Sequence, residues 1–186
     1  ANNIIDWRMY GESQLTGFFS DEYYRNLTYP YHKKDANYEN LQELLLVKGV
    51  TKEIYEKLIN YVTIYGEGKV NINTASAEVL YALGLDDSLV DKIIEARQGK
   101  DGLGNTLDDH VYLKPYDISI ETNRIVKLLP AEIKAIDGLN QKNLLTTFSN
   151  YFTVSIKGQL ARSSFIKTIH AVISSRESKI LAWQER

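Results

Sequence analysis

The spacing of apolar residues changes period along this chain, and that change restricts the fold more than any other feature. Between residues 39 and 97 apolar residues recur three and four apart: Leu41, Leu44, Leu45 and Val47, then Ile54, Leu58, Ile59 and Val62. This is the spacing of one helical face. It predicts two helices around a Val47-Lys48-Gly49-Val50-Thr51 turn, with Gly49 as a left-handed C-terminal cap and Thr51 opening the second helix. The pattern repeats when Val79, Leu80 and Leu83 precede Gly84-Leu85-Asp86-Asp87, with Val90, Ile93, Ile94 and Arg97 after it. Two helix-hairpin-helix-like units result. Between them residues 70–76 read as extended, with Thr74 placed to cap a helix over 75–83. At the C-terminus the period falls to two: Phe152, Val154 and Ile156 alternate with Thr153, Ser155 and Lys157. Gly158 permits a turn, residues 164–174 read as a strand of mixed faces, and Arg176-Glu177-Ser178 turns into a strand over 179–184. Helices followed by a three-stranded antiparallel meander make the chain α+β, with its helices grouped together.

The remaining segments carry weaker signals. Residues 1–38 hold many aromatics without sustained periodicity and read as irregular, except for a short helix over Ser20–Arg25 that Ser20 can cap, with Asp21 and Glu22 complementing its dipole. Pro30 blocks its extension. Residues 98–110 contain Gly99, Gly102 and Gly104 and read as a loop. Short helices are expected over 130–136, opened by Pro130, and over 141–148. Thirteen tyrosines stand against five phenylalanines, which suits half-buried surfaces where a ring needs a polar tip.

At 186 residues the chain can build one core or two small modules. A net charge of -2 provides no global positive field for nucleic acid or anionic lipid. The absence of cysteine removes disulfides, thiolate nucleophiles and cysteine-based metal centres. No run approaches the ~20 apolar residues of a membrane span, and Ala1-Asn2-Asn3-Ile4-Ile5-Asp6 lacks a signal-peptide layout. The chain is therefore read as cytosolic or as a trimmed piece of a longer protein.

No catalytic constellation emerges. Gly66-Glu67-Gly68-Lys69-Val70 lacks the first glycine and the hydroxyl residue of a phosphate loop and reads as a turn. His32, His110 and His170 are too far apart for a zinc motif. Asp21-Glu22 and Asp108-Asp109 read as solvated carboxylates. Calcium needs only oxygen ligands, and two loops offer them: residues 11–16 running on to Asp21 and Glu22, and residues 101–109. Helix-hairpin-helix units can hold a nucleic-acid backbone on the amides of the glycine turn. Here the second turn places Asp86 and Asp87 where a phosphate would arrive, and like charges repel.

Several stretches match a known family in order. Ile5-Asp6-Trp7 followed by Asp21-Glu22-Tyr23-Tyr24, then Leu41-Gln42-Glu43-Leu44, Val47-Lys48-Gly49-Val50, Val70-Asn71-Ile72-Asn73-Thr74-Ala75 and the closing strands over 152–183 resemble the general secretion pathway protein K family. That family consists of minor pseudopilins of type II secretion systems. The resemblance implies a pseudopilin body of residues 1–37 and 149–186, built on a small antiparallel sheet, with a helical domain inserted over 38–148. It implies a non-enzymatic protein on the periplasmic side of the inner membrane, anchored by an N-terminal helix that this sequence lacks. It further implies a place at the pseudopilus tip, in complex with the I and J minor pseudopilins, where the bulky insert ends the filament. Calcium is the one cofactor implied, with Gln14, Thr16 and Asp21 on the family's ligand positions and Gly11 where a carboxylate is expected. A competing resemblance joins residues 73–80 to the hairpins of DNA-binding proteins of the competence and DNA-uptake type.

Overall fold

The computed structural model describes residues 2–9, 20–159 and 166–185. Its backbone packs into two compact units, Ala1–Tyr65 and Gly66–Arg186. The two hairpins therefore lie in different units.

In the first unit α1 (Asn2–Arg8) and α2 (Ser20–Arg25) precede a 3₁₀ helix over Leu41–Leu46 and then α3 (Lys52–Leu58). The core is aromatic. Trp7, Tyr24 and Val47 are buried, and Ile4, Leu27, Tyr31, Tyr38 and Val50 pack against them. Trp7 meets Tyr24 edge to face at 5.2 Å between ring centroids, an arrangement that suits the ring quadrupoles. The surplus of tyrosine over phenylalanine has its reason here, because three hydroxyls close backbone groups that the short elements leave open. Tyr31 Oη donates to the Leu46 carbonyl at 2.8 Å, Tyr38 Oη donates to the Ile4 carbonyl at 2.9 Å, and Tyr24 Oη accepts from the Lys48 amide at 3.1 Å.

Two sequence expectations change in this unit. Residues 2–8 are helical rather than irregular; seven residues are too few to show a period, and burial of Trp7 holds the turn in place. The first arm of the hairpin is a 3₁₀ helix and not an α-helix. Asn40 and Glu43 form a capping box at its start, and Val47 is already extended when it reaches the core. The short helix over Ser20–Arg25 forms as expected, and so does α3, capped by Thr51.

The second unit runs β1 (Val70–Asn71), α4 (Ala77–Ala82), α5 (Asp87–Arg97), a 3₁₀ turn at Pro115–Asp117, α6 (Ile118–Ile125), α7 (Pro130–Gln141), β2 (Leu145–Thr146), β3 (Tyr151–Gln159), β4 (Ile166–Ser174) and β5 (Lys179–Glu185). Apart from Tyr112 its core is aliphatic: Ile72, Leu80, Leu85, Leu89, Val90, Ile93, Tyr112, Ile118, Leu128, Ile136, Leu139 and Leu145 are buried together with Ala75. Arg97 Nη1 donates to the carbonyls of Ile72 and Ala75 at 2.9 and 2.8 Å, fixing the turn before α4 onto α5. Glu132 is buried, takes both oxygens to Lys92 at 2.8 Å, and accepts from the Leu129 amide at the start of α7.

Here too some expectations are corrected. Thr74 does not cap α4: Asn71 draws residues 71–75 into a turn, its carbonyl accepting from Thr74 and Ala75, so the helix starts after Ser76. The helix expected over 141–148 does not form. Instead α7 runs on to Gln141, Asn143 takes a left-handed φ of 57°, and Leu145–Thr146 pairs in parallel with Val70–Asn71. Helix α6 carried no legible period. Gly158 lies inside β3 opposite Lys167, and the turn between β3 and β4 falls outside the described residues, as does Ser164. The antiparallel meander itself forms in the order β3-β4-β5, with its second turn at 175–178. Gly66 and Gly68 both take positive φ, so the phosphate-loop-like segment is a turn, and Glu67 within it pairs with Arg176 at 2.9 Å.

Candidate assembly surface

Residues opposite one another in an antiparallel pair share a face. In the C-terminal meander this rule gathers a row of apolar side chains on one side. Phe152 lies opposite Ile173, Val154 opposite Ala171, and Ile156 opposite Ile169. On the other flank of β4, Ile173 faces Ile180 and Ala171 faces Trp183. A register shift beside Val172 and Ile173 absorbs one residue of β5, which brings both Ile180 and Trp183 to this side. The reverse face is mixed: Thr153, Ser155, Lys157, Thr168, His170 and Gln184 share it with Tyr151, Ile166, Val172 and Ala182. Large side chains on the apolar face remain in water: Phe152 is 49% exposed, Ile156 54%, Ile180 58% and Trp183 53%. Exposed apolar side chains gathered on one face make this the candidate assembly surface. At its margin Trp183 Nε1 donates to Glu185, which also pairs with Lys167 at 2.6 Å.

The polar candidates are engaged within the chain. Asp21 lies at the start of α2, where one carboxylate oxygen pairs with Arg25 Nε at 2.7 Å and meets His32 Nδ1 at 3.2 Å, and the other accepts from the Lys33 amide at 3.3 Å. Burial works against the charge, yet the bonds from His32 and Lys33 and the Arg25 guanidinium hold this carboxyl below its usual range. Gln14 and Thr16 lie outside the described residues. In the 101–109 loop Asp108 accepts from the amides of Lys100 and Asp101, and Asp109 from that of Asn105. Among the described residues no three His, Asp or Glu side chains converge where they could hold a metal ion. His110 meets Glu121 at 3.0 Å, and His170 is half-buried in β4.

The two glycine turns are occupied as well. In the first, the Lys48 amide is taken by Tyr24, its carbonyl accepts from Asn3 Nδ2 at 2.9 Å, and its ammonium lies over the Tyr23 ring. In the second, the Asp86 carboxylate accepts from the Leu89 amide at 2.9 Å. It thereby fills the place where a phosphate would bind a helix N-terminus.

Two family models, each described as type II secretion system (T2SS), protein K, match residues 1–67 and 70–108, together more than half of the chain. The chain belongs to the type II secretion system protein K family, the K-type minor pseudopilins. A solved structure, the GspK-GspI-GspJ complex from the type 2 secretion system of enterotoxigenic Escherichia coli, contains a chain of similar fold, with a TM-score of 0.67 and 17% identity. The match covers 99% of this chain and 61% of that one, so the protein K chain described here spans about three fifths of its structural relative. None of the curated protein sequences matches.

In this protein K chain the motifs that carried the resemblance are largely packing motifs. Trp7, Tyr24, Leu44 and Val47 are buried in the first unit, and Ile72 and Ala75 in the second. The apolar face of the meander was half legible. The alternation of Phe152, Val154 and Ile156 announced one strand of it. The contribution of Ile180 and Trp183 depends on a bulge that has no sequence signature.

Proposed function

We propose that this protein K chain is a non-catalytic subunit of the pseudopilus tip that assembles with the I and J minor pseudopilins on the periplasmic side of the inner membrane. The observation that carries this reading is the uncovered apolar face of the C-terminal meander. In the proposed pseudopilin architecture the C-terminal strands belong to the body, and their apolar face is the surface that assembly covers. Residues 38–148 form an insert that ends the filament. The charged side chains at the candidate sites support a structural role, since Asp21, Asp108 and Glu132 bind the chain's own amides and cations. No helix among the described residues is long and apolar enough to cross a membrane. A DNA-binding role is the weaker reading, because Tyr24 and Asp86 already take amides that a phosphate would need.

The test is reconstitution with the I and J proteins of the same operon, followed by light scattering on a sizing column. A stable three-protein species is expected. Separate elution of all three proteins at micromolar concentration would overturn the reading.

Calcium is proposed as a weak ligand. Of the three residues on the family's ligand positions, Asp21 alone is a carboxylate, and Arg25 already neutralises it; affinity follows ligand charge. One millimolar calcium should raise the melting temperature by no more than about 2 °C over EDTA, a shift that Asp21→Ala abolishes. A much larger shift would show that Arg25 and His32 give way to a tight site.

A further inference from the structure

The loop between α5 and residue 110 is built to hold two leucines in water. Its neck is closed: the His110 amide donates to the Arg97 carbonyl at 3.0 Å, and His110 Nε2 meets Glu121 of α6 at 3.0 Å. Gly99 has a φ of +65°, and a Cβ there would lie 2.4 Å from the Asp108 carbonyl oxygen, so only glycine allows the two ends to approach. Inside the neck the carboxylates act as a scaffold. Asp108 Oδ2 accepts from the amides of Lys100 and Asp101 at 2.7 and 3.2 Å, Asp101 Oδ1 accepts from Leu103 at 2.8 Å, and Asp109 Oδ2 accepts from Asn105 at 2.6 Å. Thr106 Oγ1 donates to Asp108 Oδ1 at 2.8 Å. On this scaffold Leu103 is 62% exposed and Leu107 is fully exposed.

Isolated surface leucines are ordinary and need no explanation. Two of them on a loop whose backbone amides are fixed by three of its own carboxylates are a different case. The ordering cost that a flexible loop meets on binding has already been met in folding. Neither leucine packs into the core, so they contribute little to the fold they project from. The charge around them is one-sided, with Asp101, Asp108 and Asp109 against Lys100 alone.

We infer that the 99–109 loop is a docking loop that inserts Leu103 and Leu107 into an apolar pocket rimmed by Lys or Arg on the I–J pair. The acidic scaffold selects the rim by charge complementarity, and the leucines fill the pocket. This rests on the proposed assembly with I and J and names the part of the chain that reaches them.

The experiment measures affinity for the reconstituted I–J pair by biolayer interferometry at two salt concentrations. Three proteins are compared: the unmodified chain, the double variant Leu103→Ser with Leu107→Ser, and Gly99→Ala. The double variant should keep its melting temperature and bind at least about tenfold more weakly. Gly99→Ala, which keeps both leucines and opens the neck, should also bind more weakly, by about threefold or more. Association of the unmodified chain should slow as salt is raised. If the unmodified chain binds and the double variant binds equally well, the docking loop is overturned while the assembly reading stands. If the unmodified chain does not bind at all, both fall.

Discussion

The two helical hairpins look alike in sequence and differ in what covers them. Each turns on a left-handed glycine, Gly49 at φ +82° and Gly84 at φ +88°. Each second helix is capped by an oxygen side chain, Thr51 for α3 and Asp86 for α5. Yet α3 has no buried residue, whereas α5 buries Leu89, Val90, Ile93 and Ala96. In the first hairpin Ile54, Ile59, Leu45 and Leu46 remain exposed, and its anchors are buried Leu44 and Val47 together with the polar bonds from Tyr24, Tyr31 and Asn3. In the second, the apolar stripe is the core. Apolar period thus reports that a face exists and leaves open whether the same chain covers it.

The largest expected effect tests this difference directly. Truncating a buried aliphatic side chain removes its transfer free energy and leaves a cavity. Leu89→Ala or Ile93→Ala should therefore lower stability by about 3 kcal/mol in urea denaturation followed by circular dichroism. Ile54→Ala occupies a comparable place in the first hairpin's pattern and should lose less than about 1 kcal/mol. Equal losses at Ile54 and Ile93 would erase the distinction.

How much of this was legible follows from the same physics. Hairpins, glycine turns and the C-terminal meander depend on local spacing and turn chemistry, and the sequence displays both. The helix α1 and the tyrosine anchors depend on Trp7 meeting Tyr24 and Tyr31, a long-range event with no local period. The strand at Leu145–Thr146 was hidden for a related reason: Leu144 and Leu145 fit a helical stripe equally well, and pairing with Val70–Asn71 decides between them. For the site, Asp21 stood out by its residue type, but its engagement by Arg25 and His32 is a matter of geometry.

A second test concerns polar anchoring inside the aliphatic unit. Glu132 is held below the ordinary glutamate range first by the hydrogen bonds from Lys92 and then by the Leu129 amide. A carboxyl with a depressed folded pKa contributes stability above its unfolded value and loses that contribution as pH falls toward the folded one. Glu132→Gln should cost on the order of 2 kcal/mol at neutral pH. The gap between variant and parent should close on acidification below the ordinary glutamate value of about 4.3. A gap that persists in acid would show that the loss comes from packing and not from charge.

The first hairpin has its own counterpart. Tyr24→Phe removes the oxygen that accepts from the Lys48 amide and leaves a partly buried donor open. About 1 kcal/mol should be lost, with amide exchange accelerating over residues 47–58 and the Trp7 emission shifting to the red. Unchanged exchange there would mean that the hairpin stands without its tyrosine anchor.

The smallest effect is the one that should be the same in both hairpins. An added Cβ at Gly84 meets nothing within 4 Å, and at Gly49 it meets only Asn3 Nδ2 at 3.9 Å, an ordinary contact. Substitution by alanine is therefore opposed only by the left-handed backbone, which costs about 1 kcal/mol whatever lies around the turn. Gly49→Ala and Gly84→Ala should lose equal amounts, and Gly84→Asn should lose less because asparagine tolerates this conformation. A markedly larger loss at Gly84→Ala would mean that the turn is coupled to the packing of Leu80 and Leu89. The covered hairpin would then transmit strain into its core, whereas the uncovered one would absorb it at the surface.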